Sequence, residues 1–407
     1  MPLKKTTSYF IPVVSVILAL LTTMSPFAID TYLPAMPQMS KFFGVPMNQV
    51  ELTVTLYFLG FALGNFLGGP LSDSFGRKPV ALTGIVIYGF SAFLIPFAPT
   101  IDYVWLLRLL QAFGGGFATV TAMVFVRDWF EGKQVARMAT LIGMIMMLAP
   151  LFAPVIGTFI LHQSGWTGIF HFLTGLALLL LIIVSLFLGE SRNKNLLTRQ
   201  LTSAQLWGNY KQFFRHRKAV LMLLTISFSS AGLFTFLTGA SFMYITYYGF
   251  GQKLFPVLFA SNMLLQIILS FSNTLFLKKF EPEQLLRAGI FIQFVAAVVL
   301  GVTVLVMPHP EFWLVFLSIV LYIGCLGLIF GNGTAIVLNL LPEISGSANA
   351  TIGVVRFLVS FLAGSLPALF HSNNLEPIGL TITGCSLMAA TFGYFFSRIH
   401  LQQKRRT

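Results

Sequence analysis

Charged residues are scarce in this chain. Only 9% of its 407 residues are Asp, Glu, Lys or Arg, whereas 56% are hydrophobic. A typical soluble domain carries about 25% charged residues, so this composition excludes an ordinary water-soluble protein. The apolar runs are long enough to cross a bilayer, which takes about 20 residues. We therefore expect a polytopic membrane protein embedded in lipid.

Cysteine and catalytic patterns are also nearly absent. The two cysteines, Cys325 and Cys385, lie in apolar segments, so we interpret them as packing residues and expect no disulfide and no metal site. None of the six histidines lies mid-span, which argues against a histidine proton relay. The chain has no H-E-x-x-H or G-x-S-x-G pattern, so we expect no enzymatic activity.

Acidic residues are outnumbered, with 12 Asp and Glu against 25 Lys and Arg and a net charge of +13. The basic residues cluster in alternate loops and near both ends of the chain, which is the positive-inside pattern and predicts cytoplasmic termini. This charge sets topology, so we expect no nucleic-acid partner. The first apolar run contains Pro26 and Asp30 and lacks a small-residue cleavage site, so we interpret it as a retained span.

The hydrophobic pattern predicts twelve spans, and a long basic stretch separates the sixth from the seventh. The predicted domains are residues 1–190 and 219–407, joined by a cytoplasmic linker over 191–218. The spans are residues 9–33, 48–70, 79–97, 102–127, 135–161, 166–189, 219–247, 253–277, 286–307, 312–341, 346–370 and 376–397.

The linker carries apolar residues at helical spacing beside basic ones, among them Tyr210 and Phe213. This pattern is typical of an amphipathic helix that lies on anionic lipid. A flexible basic linker is the alternative interpretation. The sequence leaves both open.

A charged turn, GPLSDSFGRKP at Gly69–Pro79, lies between the second and third spans. We expect its glycines and Pro70 to end one helix, and Asp73 to cap a neighbouring helix N-terminus or to pair with that helix end. The turn matches the pattern G-x-x-x-D-x-x-G-R-[KR] of the major facilitator superfamily, which the chain resembles. The matching residues are Gly69, Asp73, Gly76, Arg77 and Lys78.

This resemblance implies an all-α membrane protein with twelve transmembrane helices in two six-helix bundles around a central cavity. It also implies that the turn helps to hold the cytoplasmic side shut. LAPLFAPVIG at Leu148–Gly157 is loosely similar to the antiporter Gly-Pro motif, which bends the fifth span and seals the cavity. Pro150 and Pro154 keep the prolines of that motif, whereas Ala149 and Ala153 replace glycines.

The end of the first span, SPFAIDTYLPAMP at Ser25–Pro37, resembles the Bcr/CflA branch of drug:proton antiporters, in which an acid precedes Tyr-Leu-Pro. The resemblance implies export of small lipophilic compounds, driven by the proton gradient without another cofactor. It also implies a monomer in a bacterial inner membrane. A second acid of some relatives is replaced here by Leu21, Thr22 and Thr23, which puts dicationic substrates in doubt.

Asp30 on the first span and Arg108 on the fourth are predicted to lie at similar depth. Charges inside spans are costly and usually functional. In one interpretation Asp30 binds and releases the transported proton while Arg108 opposes protonation. In the other, the two form a permanent ion pair that orients their helices. We expect Glu51, near the outer end of the second span, to be solvated.

The fourth span contains RLLQAFGGG at Arg108–Gly116, which resembles the motif of this branch with an arginine, a glutamine and small residues. Gln111 and Gly115 share the helical face of Arg108. Three consecutive glycines also permit close approach of neighbouring helices, and that packing role is the alternative interpretation.

Arg356 lies near the middle of the eleventh span, where the branch usually has an uncharged residue. It either faces the cavity and attracts an anionic group, or turns into its own bundle and is capped by carbonyls or Asn339. The first possibility motivates an alternative function, a dedicated transporter of an anionic molecule such as a carboxylate metallophore or siderophore.

The other candidates for substrate contact are apolar, aromatic or amide residues in the spans, a lining suited to lipophilic compounds. They are Met24, Phe27, Tyr57, Gln111, Met146, Phe234, Phe236, Asn262, Gln266 and Asn332.

Overall fold

The computed structural model describes residues 10–130, 133–191, 203–370 and 374–404, which form helices joined by short turns and contain no strand. The chain divides into two compact units, Met1–Gln200 and Leu201–Thr407. The division falls within the predicted linker, and the domain limits drawn from the sequence stay a prediction. The all-α membrane fold is confirmed.

The first unit contains six helices in its described part. Short 3-10 turns at Leu33–Ala35 and Ile95–Phe97 interrupt the chain between some of them. The helices are α1 (Phe10–Asp30), α2 (Met36–Phe43), α3 (Met47–Phe75), α4 (Arg77–Leu94), α5 (Ile101–Trp129) and α6 (Lys133–Phe187).

The second unit contains seven helices in its described part. A π-helical segment at Phe242–Tyr247 and a 3-10 turn at Pro342–Ile344 accompany them. The helices are α7 (Ser203–Arg215), α8 (Arg217–Ser241), α9 (Gly251–Phe276), α10 (Pro282–Val306), α11 (Phe312–Leu340), α12 (Ser345–Leu369) and α13 (Glu376–Lys404).

Eleven helical segments of the described residues are long and apolar enough to cross a membrane. One of them, Leu141–Phe187, has 47 residues, which as a straight helix would span about 70 Å, more than twice a bilayer core of about 30 Å. Gly165 interrupts it with φ 68° and ψ −173°. This break separates the predicted fifth and sixth spans, so the segment accounts for two of the twelve.

The three consecutive glycines at Gly114–Gly116 let α5 pack closely against three different helices. A Cβ on the first would meet the backbone oxygen of Gly84 in α4. A Cβ on the second would lie 2.5 Å from Oγ of Ser25 in α1, and on the third 2.7 Å from the backbone nitrogen of Asn65 in α3. Each glycine therefore serves a separate helix contact, and α5 lies between its neighbours.

Helix α3, which corresponds to the predicted second span, is longer than the sequence predicted. Gly69 and Pro70 lie inside α3, which continues to Phe75 and ends only at Gly76, where φ is 102°. The expectation that the first glycine and Pro70 end the helix was wrong, because membrane helices tolerate proline when other groups satisfy the freed backbone.

A closed hydrogen-bond network joins α8, α10 and α11 in the second unit. Ser229 donates to Oε1 of Gln293 at 2.5 Å, and Gln293 donates to the carbonyl of Tyr322 at 3.1 Å. The Tyr322 hydroxyl returns a bond to the carbonyl of Ser229 at 3.0 Å. Buried polar groups linked in this way fix the relative register of the three helices.

The segment predicted as either an interfacial helix or a flexible linker forms helix α7 over Ser203–Arg215. Phe213 is fully buried in the core of the second unit, and Asn209 donates to Ser347 Oγ at 3.1 Å. Phe214, Lys211 and Arg215 are exposed. The helix therefore packs against α8 and α12 through one face.

Candidate functional site

Arg108 is fully buried within the first unit and is held mainly by aromatic rings. Its guanidinium carbon lies 4.5 Å from the ring centre of Tyr57 and 4.8 Å from that of Tyr32. The ring of Phe170 in α6 lies at 6.0 Å. Nη1 donates to Oε1 of Gln111, one helical turn away, at 2.7 Å. Cation–π attraction is strongest in such desolvated places.

Two guanidinium nitrogens of Arg108, Nε and Nη2, are buried without a hydrogen-bond partner among the described residues. The hydroxyl of Tyr57 interacts with Oγ of Ser25, and the hydroxyl of Tyr88 interacts with the amide of Gln111. Because a guanidinium only donates hydrogen bonds, the two nitrogens of Arg108 suit an acceptor or an anion.

Asp30 is the last residue of α1 and is only 4% exposed. Within the described residues its side chain makes no ion pair or hydrogen bond, so the permanent pair with Arg108 is absent from this structure. The interpretation of a fixed, helix-orienting ion pair is therefore wrong for this conformation. Arg108 is turned toward Gln111 and the rings of Tyr32 and Tyr57 instead.

Glu51 corrects another expectation, since it is buried and only 5% exposed rather than solvated. The neighbouring Val50 is also buried. The short helix α2 packs against α3, so the first turns of α3 are covered. This covering could not be predicted from the hydrophobic pattern, because α2 lies between two predicted spans.

The remaining first-unit candidates differ in exposure. Met24 is fully buried, and its carbonyl accepts a hydrogen bond from the hydroxyl of Tyr88 at 3.1 Å. Phe27 is half-buried with its ring centre 6.5 Å from that of Phe172, and Met146 is also half-buried. Phe27 and Met146 therefore keep some accessible surface, whereas Met24 packs in the interior.

Arg77 organises the charged turn. Its Nη1 donates to Oδ1 of Asp73 at 2.6 Å and to the carbonyl of Ser72 at 2.7 Å. Its Nε donates to Oδ2 of Asp128, near the end of α5, at 3.0 Å. The side chain of Arg77 is 11% exposed and that of Asp73 is 45% exposed. One arginine thus connects the end of α3 to the end of α5.

Of the two roles expected for Asp73, the structure shows the pair with a neighbouring helix end and not the cap, since Arg77 is the first residue of α4. Asp73 binds the Arg77 side chain, four residues further along the chain. The amides at the start of α4 are instead bound by Glu190, which accepts from Arg77 N at 3.0 Å and from Lys78 N at 3.1 Å. Asp73 and Arg77 lie only four residues apart, so the ion pair forms locally.

The Gly-Pro region, Leu148–Gly157, is helical throughout and lies within α6. The residue of α6 with non-helical backbone angles is Gly165, which lies outside this region. Pro150 is half-buried. Ala153 is fully buried, and a Cβ on Gly157 would meet the carbonyl of Thr31 just after α1. The small residues of this region thus allow close contact between α6 and the end of α1. Whether Pro150 and Pro154 act in gating stays a prediction.

Arg356 is half-buried in the second unit. Its guanidinium carbon lies 4.5 Å from the ring centre of Phe330 in α11 and 4.9 Å from that of Phe357. Its Nε is buried without a hydrogen-bond partner among the described residues, and the structure records no bond to Asn339. Stacking on rings of its own unit holds this cation, and no carboxylate in the described part of the chain pairs with it.

Two second-unit candidates are aromatic. Phe236 is 1% exposed, and its ring centre lies 5.9 Å from that of Phe259 and 6.1 Å from that of Tyr244. It therefore belongs to a buried aromatic cluster. Phe234 is half-buried, and its ring lies 5.1 Å from that of Phe357, beside Arg356.

The amide candidates act mainly between helices. Asn332 and Asn273 are joined by hydrogen bonds of 2.8 and 3.4 Å between their amide groups, linking α11 and α9. Asn262 donates to the hydroxyl of Tyr244 at 2.7 Å, while its Oδ1 is buried without a partner among the described residues. Gln266 is half-buried. Their role in substrate binding stays a prediction.

These features together define a class of protein. Its long apolar helices carry three buried charged residues, Asp30, Glu51 and Arg108, that make no ion pair among the described residues. Together with the ion-paired turn, they are typical of a multi-pass membrane transporter. Residues 18–364 match the family model described as Major Facilitator Superfamily. The chain belongs to this superfamily, whose members are small-molecule transporters and not enzymes.

Curated relatives are similar over nearly the whole chain. A Bicyclomycin resistance protein homolog of Haemophilus influenzae is 31% identical over 388 residues, covering 95% of this chain and 96% of the relative. The Multidrug resistance protein MdtL of Vibrio parahaemolyticus is 24% identical over 338 residues, covering 83% of each. The resemblance to Bcr/CflA-type drug antiporters is thereby confirmed.

Solved structures support the fold. A bacterial homolog of the human lysosomal transporter Spinster aligns with a TM-score of 0.75 at 14% identity, covering 96% of this chain and 98% of that chain. The xylose transporter XylE from E. coli aligns with a TM-score of 0.72 at 16% identity, with the same coverage. At these identities the likeness shows the fold alone.

Proposed function

We propose that this transporter exports small, partly lipophilic compounds in exchange for protons, by alternating access. The observation that carries the proposal is the separate burial of two opposite charges in one unit. Asp30 is 4% exposed and Arg108 is fully buried, yet the ion pairs of the described residues do not include one between them. An unpaired, buried carboxyl can hold a proton and release it when a rearrangement brings a cation near.

The surroundings of Arg108 support the second half of this cycle. Nε and Nη2 of Arg108 lack acceptors among the described residues, so the site carries a positive charge that no carboxylate there neutralises. An ionised Asp30 supplies the missing acceptor when the first unit rearranges. We therefore assign Asp30 to proton transfer and Arg108 to stabilising its ionised form.

The charged turn gives the cycle a gate. Arg77 connects Asp73 and Asp128, so the end of α3 can move relative to α5 only if these bonds break.

We propose a bacterial inner membrane as the location, with both termini in the cytoplasm and a monomer as the working unit. The positive-inside pattern and the bacterial relatives support this placement.

A resistance assay tests the proposal. Drug-sensitive bacteria that express the chain are compared with cells expressing Asp30→Asn at equal membrane levels, and bicyclomycin is the first probe because one relative is named for resistance to it. The proposal predicts that the parent raises the inhibitory concentration and that the variant does not. Equal protection by both would contradict proton coupling through Asp30. A panel of lipophilic antibiotics without any protection would contradict drug export.

A dedicated anion transporter is the second candidate, supported by Arg356. This cation is half-buried, is held by the rings of Phe330 and Phe357, and has no carboxylate partner in the described residues. An anionic substrate such as a carboxylate metallophore would neutralise it. A growth defect that appears only under metal limitation in cells lacking the protein would favour this candidate.

A further inference from the structure

Glu190 binds the start of α4 from a distant part of the chain. It follows α6, and its two carboxylate oxygens accept hydrogen bonds from the backbone amides of Arg77 at 3.0 Å and Lys78 at 3.1 Å. The first amides of a helix have no partner within that helix. A carboxylate at this end also meets the positive end of the helix dipole. Glu190 therefore caps α4 across more than 100 positions of sequence.

Gly76 leaves the space that this carboxylate occupies. Its φ of 102° is accessible to glycine and strained for other residues. A Cβ at this position would lie 2.7 Å from Oε2 of Glu190. The glycine of the turn is thus required both by its own backbone conformation and by the approach of Glu190.

Residues on either side of Glu190 join the same network. The carbonyl of Ser185 accepts a hydrogen bond from Nζ of Lys78 at 2.7 Å. Ser191 donates to Oδ2 of Asp128 at 2.8 Å, the oxygen that also accepts from Nε of Arg77. The end of α6 is therefore bonded both to the charged turn and to the end of α5.

We propose that Glu190 is a positioning residue of the gate: it fixes the start of α4 so that Arg77 can pair with Asp73 and Asp128. This inference rests on the proposed gating role of the turn. Glu190 is also the last residue before the predicted linker over 191–218. A displacement at the end of α6 therefore moves the charged turn directly. Loss of the Glu190 cap weakens the hold of α6 on the turn.

A cysteine at a buried position of the turn measures this loosening. Ser72 is fully buried, and its carbonyl accepts from Arg77. We would follow the rate of N-ethylmaleimide labelling of Ser72→Cys in membrane vesicles, alone and combined with Glu190→Gln or Glu190→Asp. The native Cys325 and Cys385 are buried in the second unit and report any general loosening of the protein.

The expected result follows from the bonds that each variant keeps. Glu190→Gln keeps one acceptor but loses the charge and the other acceptor, so labelling at position 72 should be about five-fold faster, as for loss of a helix cap. Glu190→Asp keeps the charge and should give an intermediate rate. Glu343→Gln, an exposed acid in the second unit, is the matched control and should not change the rate.

Two outcomes would overturn the inference. One is an unchanged labelling rate at position 72 in Glu190→Gln. The other is faster labelling of Cys325 and Cys385 to the same degree, which indicates a general structural role rather than a local one. The assay uses neither protons nor a transport substrate, so its result is independent of whether Asp30 carries the proton.

Discussion

The guanidinium carbon of Arg108 lies 4.5 Å from the ring centre of Tyr57, while the hydroxyl of the same tyrosine interacts with Oγ of Ser25 in α1. The ring and the hydroxyl therefore make separate contacts. The ring packs against a buried cation, and the hydroxyl joins α3 to α1.

Two substitutions separate these contacts. Tyr57→Phe keeps the ring, so thermal unfolding of the detergent-solubilised protein should be nearly unchanged. Tyr57→Leu removes the cation–π contact and should lower the stability by about 1–2 kcal/mol. Equal stability of both variants in a thermal unfolding assay would show that the ring does not hold Arg108.

The glycines of α5 give a prediction about stability alone. Gly116→Ala places a Cβ 2.7 Å from the backbone nitrogen of Asn65, and backbone atoms cannot move aside, so we expect destabilisation by about 1–3 kcal/mol. Gly143→Ala in α6 is the control, because a Cβ there meets nothing within 4 Å. It should be neutral or slightly stabilising, since alanine favours helix. Similar unfolding temperatures for the two variants would refute this packing.

Asp73→Asn tests the gate. The substitution removes the ion pair with Arg77 at 2.6 Å but leaves the Arg77–Asp128 contact and the fold intact. We expect slower transport in vesicles with nearly unchanged affinity for the same probe. A variant that exchanges normally between conformations but no longer binds the probe would show that Asp73 acts in binding instead.

The sequence predicted the helices well because a bilayer imposes long apolar runs, and these runs are visible without any tertiary contact. It also identified Arg77 and Asp73 through a rigidly spaced local pattern. Glu190 and Asp128 were missed, since their contacts with Arg77 cross more than 50 positions and leave no local signal. The burial of Glu51 was missed for the same reason.

The contacts of the buried charged side chains were the feature that the sequence predicted least well. Similar depth in the membrane suggested a pair between Asp30 and Arg108, but depth does not determine which way a side chain turns. In the structure, the ring centres of Tyr32 and Tyr57 lie 4.8 and 4.5 Å from the guanidinium carbon of Arg108. Such aromatic contacts depend on the packing of α1, α3 and α5 together, which one sequence does not reveal.

Arg356 tests the charge preference of the substrate. Arg356→Gln removes the cation and should weaken binding of a lipophilic carboxylate by about 1.5–3 kcal/mol, the range for a charged hydrogen bond. An amine with the same skeleton should bind with little change, and binding of both to purified protein can be measured by calorimetry. An equal loss for both probes would mean that Arg356 only packs against Phe330 and Phe357.

The central claim is that Asp30 carries the proton. Each proton that moves inward supplies about 2.3 kcal/mol per 100 mV of membrane potential, in addition to the pH gradient. Asp30→Asn keeps the size and polarity of the side chain but cannot bind and release a proton at working pH. Inward proton movement should therefore no longer drive export in this variant.

The most direct measurement is proton flux in proteoliposomes that contain a trapped pH-sensitive dye. Bicyclomycin is added as the probe to vesicles with the parent protein or with Asp30→Asn, and probe binding is measured in parallel. We expect a probe-dependent proton flux with the parent and none with the variant, although the variant still binds the probe. An undiminished proton flux through Asp30→Asn would contradict the claim that Asp30 carries the proton.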